Sequence, residues 1–260
     1  MSSMSPIIIN TGEHFQHLSK APIGEAILEI RANPSVAWDE DKISSILKEE
    51  LKNYPHSDSQ RGVEQLLQLG LDKPAQAKMK DLGWLGLTFK TEDNLQVAKF
   101  HKNSFSFSRL QPYTEWQHFS EEALKLWELY KRIAQPAEIQ RLGLRYINRF
   151  ALPSQVSLDE YFRMPMPTHI GLELPFVNFF HQDTFSVTGH DYAVNVIRAT
   201  QPVGAGQTRD FYLILDIDVF TMEPIDLVPE RIAKRLSEMR WVKNKIFFGS
   251  ISPSFIEKLI

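Results

Sequence analysis

The stretch Arg141-Leu142-Gly143-Leu144-Arg145-Tyr146-Ile147-Asn148-Arg149-Phe150 alternates along its length. In an extended chain Leu142, Leu144, Tyr146 and Phe150 point to one side, and Arg141, Arg145 and Arg149 point to the other. Charges rarely occupy so apolar a strand unless something opposes them, because an unopposed charge away from water is costly. The stripe therefore bears on the fold, through the strand that could lie beside it. It also bears on function, through the ligand it would take if no strand supplies partners.

Two other strands carry opposite charge. Pro22 to Arg31 alternates, with Ala26, Leu28 and Ile30 on one face and Glu25, Ile27, Glu29 and Arg31 on the other. Phe211 to Phe220 places Asp216 and Asp218 on one face with Tyr212 and Ile214. Two readings follow. In the first, Glu25 and Glu29 face the arginines as an ion-pair ladder between neighbouring strands. In the second, the arginines form an anion site. Residues four apart on a strand are separated by about 13 Å, too far for one phosphate but suited to successive phosphates of a polyanion, which arginine forks match well. The close pair Asp216 and Asp218 needs a cation, an arginine or a proton between its members. Arg145 or Arg198 could serve, and a hard-metal site would require Glu25 or Asp183 to join.

Outward from these strands the chain alternates in kind. The spacing of Ile43, Ile46, Leu47 and Leu51 predicts a helix over Asp39 to Lys52, and a second, less regular helical segment is expected over Ser57 to Leu71. Three alternating strands follow at Trp84 to Lys90, Leu95 to His101 and Ser104 to Leu110, the last two joined by a turn at Lys102-Asn103. Glu121 to Ile133 reads as a helix bearing Leu124, Trp127 and Tyr130. Residues 154–172 hold two prolines, Pro165 and Pro167, and no strong period, which suggests a boundary between an N-terminal half, 1–153, and a C-terminal half, 154–260. Strands are expected at Val177 to Thr188, Tyr192 to Ala199 and Phe211 to Phe220. A long helix follows from Pro229 to Lys245, with Ile232, Leu236, Met239 and Ile246 as its core stripe, then a short helix near Ser252-Pro253. The expected fold class is α+β: two similar halves, each a twisted antiparallel sheet backed by helices, as a ferredoxin-like duplication would give, or one compact domain.

The runs Ala21-Pro22-Ile23-Gly24-Glu25-Ala26, Leu144-Arg145-Tyr146-Ile147-Asn148-Arg149 and Leu215-Asp216-Ile217-Asp218, followed by an amphipathic C-terminal helix, carry a resemblance. The chain resembles a sporadically distributed, uncharacterised prokaryotic family of similar length. The resemblance spans nearly the whole chain and brings no catalytic residues with it. A patchy distribution implies horizontal transfer, which suits cargo of a prokaryotic defence or mobile-element module.

Composition narrows the classes. Formal net charge is −3, so no global field favours nucleic acid or an anionic membrane. Cysteine is absent, which removes disulfides, thiolate chemistry and cysteine-bound metals. The N-terminus has no basic region ahead of its short Ile7-Ile8-Ile9 run, and no stretch approaches the roughly 20 apolar residues of a membrane span. A cytoplasmic protein is expected, with no cofactor and no metal. No nucleophile elbow, metalloprotease or phosphate-loop motif is present. Gly204-Ala205-Gly206 leads into a strand rather than a helix, so it lacks the dinucleotide context. His181 with Asp183, and His190 with Asp191, could form acid–base pairs but more often make surface hydrogen bonds. The cations of the C-terminal helix, Arg231, Lys234, Arg235, Arg240, Lys243 and Lys245, fit a solvated face or a nucleic-acid face. Phe100, Phe105 and Phe107 fit a core or a base-stacking sheet.

Three functional readings result. The leading one is a non-enzymatic binding or assembly protein, contacting a protein partner or a polyanion through Arg145 and Arg149. The second is an RNA- or nucleotide-binding protein, extending to a metal-dependent nuclease, that uses Asp216, Asp218 and the arginines. The third is a structural subunit of an oligomer.

Overall fold

The computed structural model describes residues 5–70, 73–152, 158–163, 178–202 and 211–260, without the side chains of 64–70, 73–78, 159 and 202. Nine strands appear among them: β1 (Ile23–Arg31), β2 (His56–Gly70), β3 (Lys73–Lys90), β4 (Gln96–His101), β5 (Ser104–Leu110), β6 (Arg141–Leu152), β7 (Phe180–Ser186), β8 (Tyr192–Pro202) and β9 (Phe211–Thr221). Four helices accompany them: α1 (Glu40–Glu50), α2 (Trp116–Ala134), α3 (Pro229–Ser250) and α4 (Pro253–Leu259). The mixture is α+β.

The strands make one antiparallel sheet in the order β2-β3-β4-β5-β1-β6-β9-β8-β7. Two separate sheets were expected; instead β1 and β6 pair along their length, from Ile23 opposite Asn148 to Arg31 opposite Arg141. β6 in turn pairs with β9, from Gly143 opposite Phe220 to Leu152 opposite Phe211, and this second pairing joins residues 1–153 to residues 154–260 in one sheet. Ala26, Leu28, Ile30, Leu142 and Leu144 are fully buried on the same face. A ferredoxin-like plan is not established by this order. The expected boundary at 153/154 lies outside the described residues, as does most of the proline-bearing stretch.

The helices share one face of the sheet. Each begins and stops for local reasons. Asp39 caps α1 by accepting from the Lys42 amide at 2.9 Å, and Ser252 caps α4 through the Phe255 amide. Pro229 opens α3 in the first turn. α2 ends where Gln135 turns left-handed, at φ 47°. The stripe Phe119, Ala123, Leu126, Trp127, Tyr130 and Ile133 of α2 packs on Phe105 and Phe107 of β5. α3 sets Ile232, Leu236 and Met239 against β6 and β9. α4 closes the far end with Phe255 against Phe150, ring centroids 5.5 Å apart. Each fully buried aromatic side chain here contributes roughly 1.5–3 kcal/mol.

One expectation fails outright. Residues 57–71 were expected to be helical, yet β2 runs antiparallel to β3, Ser57 opposite Phe89 and Ser59 opposite Leu87. Leu66 and Leu67 are adjacent and fit either period, and the edge of β3 needs a partner for its ladder. Tertiary pairing overrides the local preference. β3 also begins well ahead of the expected Trp84, at Lys73, and α2 ahead of Glu121, at Trp116; the other described elements fall within about five residues of expectation.

Candidate functional site

Among the described residues no helix lies on the opposite face of the sheet. In its centre the arginines of β6 stand between the carboxylates of β1 and β9. Opposite pairs place Arg145 against Ile27 on one side and Asp218 on the other. The arginines do not pair straight across. Arg145 leans one step along the ladder and donates from Nε to Asp216 at 2.8 Å and from Nη2 at 2.5 Å. Arg141 leans back over Gly143, donating to Glu29 and, at 2.7 Å, to Asp218. Gly143 makes this possible: a Cβ there would stand 2.5 Å from Arg141 Nη1. Glu29 is shared with Arg31, at 3.3 Å.

Arg149 differs. Among the described residues it faces no carboxylate. Its stem lies across Gly24, its guanidinium carbon sits 4.4 Å above the Tyr212 ring, and Nη2 donates to Gln201 at 3.4 Å. Glu25, expected to face the arginines as part of the ladder, adds a longer-range attraction to Arg145. Asp216 does take Arg145, while Arg198 goes elsewhere: it pairs with Asp183 on the helix-covered side of β7 and β8.

The electrostatics follow the geometry. The hydrogen bonds of Asp216 come first in holding Arg145 even more firmly protonated than usual, against the desolvation of burial. Asp216 itself is 5% exposed. Asp218 goes the other way: burial raises its pKa above the ordinary 3.8, and the arginines only partly counter that. On the open face of β1, β6 and β9 the charges are Arg31, Arg141, Arg145 and Arg149 against Glu25, Glu29, Asp216 and Asp218, four and four, so this region is neutral. Half-buried Ile27, Ile147, Ile214, Tyr212 and Phe220 lie between them.

Other sequence candidates separate. Phe100, Phe105 and Phe107 are at most 1% exposed on the covered face, so they are core rather than base-stacking groups. His181 bonds to Asp183 at 3.0 Å, and His190 meets the Ile7 carbonyl at 2.8 Å. Among the described residues no group of three His, Asp or Glu side chains could hold a metal. No helix among them is long and apolar enough to cross a membrane. The basic side chains of α3 do not form one face. Arg231 pairs with Asp226, Arg235 with Asp191, Lys234 with Glu238 and Lys245 with Glu13.

Lys243 is the residue that sequence reasoning misplaced. It was grouped with the solvated cations, yet it is 9% exposed, with Nζ 3.9 Å from the centroid of the Tyr146 ring. It lines a cavity of about 200 Å³ on the helix side of β6, together with Tyr113, Tyr146, Asn148 and Arg240. The signal was present in the spacing. Ile232, Leu236, Met239 and Lys243 follow one another at intervals of four, three and four, so Lys243 occupies a core position of α3. The Tyr113 and Tyr146 hydroxyls bond at 3.0 Å, and burial pushes the Tyr113 phenol up to about 12.

No protein-family model, curated protein or solved structure matches the chain.

Proposed function

We propose that the protein is a non-enzymatic binding and assembly protein whose uncovered sheet face docks a second copy of the chain. The observation that carries this is Arg149, held over Tyr212 on the open face with no carboxylate among the described residues. Arginine and tyrosine are the side chains that most often anchor protein interfaces. The charge balance around it supports the same reading. A neutral face with both signs interleaved is complementary to itself under a two-fold axis. It gives a polyanion little net attraction, which counts against an RNA-binding or nuclease role. Nine strands about 4.8 Å apart span about 40 Å, enough for the roughly 800 Å² per partner of a standard interface.

The halves are read as copies of one unit. In support, the strand order runs outward as β1-β5-β4-β3, with β2 beyond it, before α2, and as β6-β9-β8-β7 before α3, a division that falls ahead of β6 rather than at 153/154. A setting in a prokaryotic defence or mobile-element module rests on the resemblance alone.

Sedimentation across protein concentrations tests the assembly. The expected result is a dimer that becomes a monomer in the Arg149→Ala, Tyr212→Ala double variant, with the thermal midpoint nearly unchanged. A wild-type protein that stays monomeric at every concentration rejects the proposal.

A further inference from the structure

The N-terminal segment crosses α3 and roofs the cavity that Lys243 lines. Phe15 stacks on Phe248 with centroids 5.5 Å apart and an angle of 15° between ring planes. Glu13 fastens the segment by accepting from Trp241 Nε1 at 2.7 Å and from Lys245 at 2.9 Å. Within this cavity Lys243 makes no hydrogen bond and no ion pair among the described residues. An ammonium held over a tyrosine ring keeps its three donors free. Arg240, one turn earlier on α3, stands at the mouth over Trp116 at 5.5 Å, also without a carboxylate. Asn148, 1% exposed, fixes its amide by donating to the Leu215 carbonyl at 2.9 Å. Glu115 at the rim is engaged by His118 at 3.0 Å.

Two cations thus converge on a cavity with aromatic walls, and one of them is buried with only the face of the Tyr146 ring to offset the cost. An apolar cavity of about 150 Å³ holds a benzene ring. The present cavity, about 200 Å³, has room for such a ring with a carboxylate at the cationic end. We propose that the cavity between the N-terminal segment and α3 binds a small planar aromatic carboxylate, with Lys243 and Arg240 taking the carboxylate and the Phe15–Phe248 side taking the ring. This site lies on the opposite side of β6 from the assembly face, so either proposal can fail without the other.

The charged and titratable groups that face Lys243 are Arg240 on its own helix, Tyr146 on β6, Tyr113 and Glu115 ahead of α2, and His17 on the N-terminal segment. Burial, with a smaller push from Arg240, brings the lysine down to about 7. Binding an anion requires the charged amine, so affinity falls as pH rises through that value.

The probe is benzoate, titrated calorimetrically into the full chain at pH 6 and pH 9, with benzamide as its uncharged isostere and sulfate as a ringless anion. Saturable benzoate binding at pH 6 is expected, weaker at pH 9 and weaker by about tenfold or more for benzamide and sulfate. Lys243→Met should lower benzoate affinity by at least about tenfold, and Arg240→Ala, at an exposed position that leaves the fold alone, should lower it by a smaller factor. Absence of saturable benzoate binding at pH 6 overturns the proposal. So does binding that neither variant alters, or sulfate binding as tight as benzoate with the same dependence on both residues.

Discussion

Arg145 and Lys243 are cations held against the same strand from opposite faces. Arg145 lies on the open face, makes a two-pronged contact with Asp216, and is kept charged by it. Lys243 lies on the covered face above the Tyr146 ring, with no acid to meet it, and burial lowers its pKa. The half-exposed cation has its partner inside the protein, while the buried one lacks any. A charge that is paired internally holds structure. A charge that is buried and unpaired costs stability until something arrives to meet it. The comparison moves the search for a ligand from the arginine stripe, where charge alone would place it, to the lysine.

The largest effect should come from breaking the paired side. Arg145→Ala leaves Asp216 buried and without its guanidinium, and removing one member of such a pair costs about 3–5 kcal/mol. The lower end is expected here because Arg145 is partly solvated, its side chain 41% exposed. Urea denaturation measures the loss. Adding Asp216→Leu to a variant carrying Arg145→Met should recover most of it, since an apolar pair of similar volume removes the stranded charge. A loss below about 0.5 kcal/mol for Arg145→Ala would mean that water already compensates the pair.

The unpaired side should respond with the opposite sign. Lys243→Met keeps the length of the side chain and removes its charge, so stability at pH 6 should rise. The pH dependence fixes the origin. In the folded protein the lysine loses its proton near 7, and in the unfolded chain near its ordinary 10.5. Between those values the unfolded chain binds more protons, so wild-type stability climbs with pH across the window, and the cost is greatest below it. Lys243→Met should flatten that climb. An unchanged slope would show that Lys243 is neutralised by some other means.

A smaller effect separates the two aspartates. Burial raises the pKa of Asp218 above 3.8, so from there up to its folded value the native state holds the extra proton and stability declines as pH rises. Asp218→Asn removes that decline, and Arg141 retains Glu29. Asp218→Asn should therefore cost less than about 1 kcal/mol at neutral pH and less than Asp216→Asn. Chemical denaturation of both variants across pH 4 to 8 shows whether the order holds.

Much of this contrast was legible in the sequence and part of it was mis-sorted. Alternation in Arg141 to Phe150 places the three arginines on one face, and the alternation of Glu25 and Glu29 names their neighbours on β1. What alternation cannot supply is register. Arg141 reaches Glu29 only because Gly143 lies between them and clears the way, and Arg149 misses Glu25 because its stem crosses Gly24 towards Tyr212. β2 was unreadable because Leu66 and Leu67 satisfy either period, and its pairing is decided by the edge of β3. Lys243 was readable by position and misread by type: a lysine at a core interval of a helix was counted with its charged neighbours.

The smallest effect on stability should accompany the largest on assembly. Arg149→Ala loses a contact with Tyr212 in a solvated setting, worth about 0.5–1 kcal/mol, and strands no carboxylate among the described residues. The fold should hardly register it. If the open face docks a second copy, the same substitution removes an arginine anchor from both sides of a two-fold interface, and truncating such an anchor commonly weakens association by more than 1 kcal/mol. Arg145→Ala and Arg149→Ala, only four residues apart on β6, then divide: the first lowers the denaturation midpoint, and the second lowers the sedimentation mass at a given concentration while the midpoint holds. A wild-type dimer whose mass Arg149→Ala leaves unchanged would place the interface elsewhere and leave the whole stripe as internal structure.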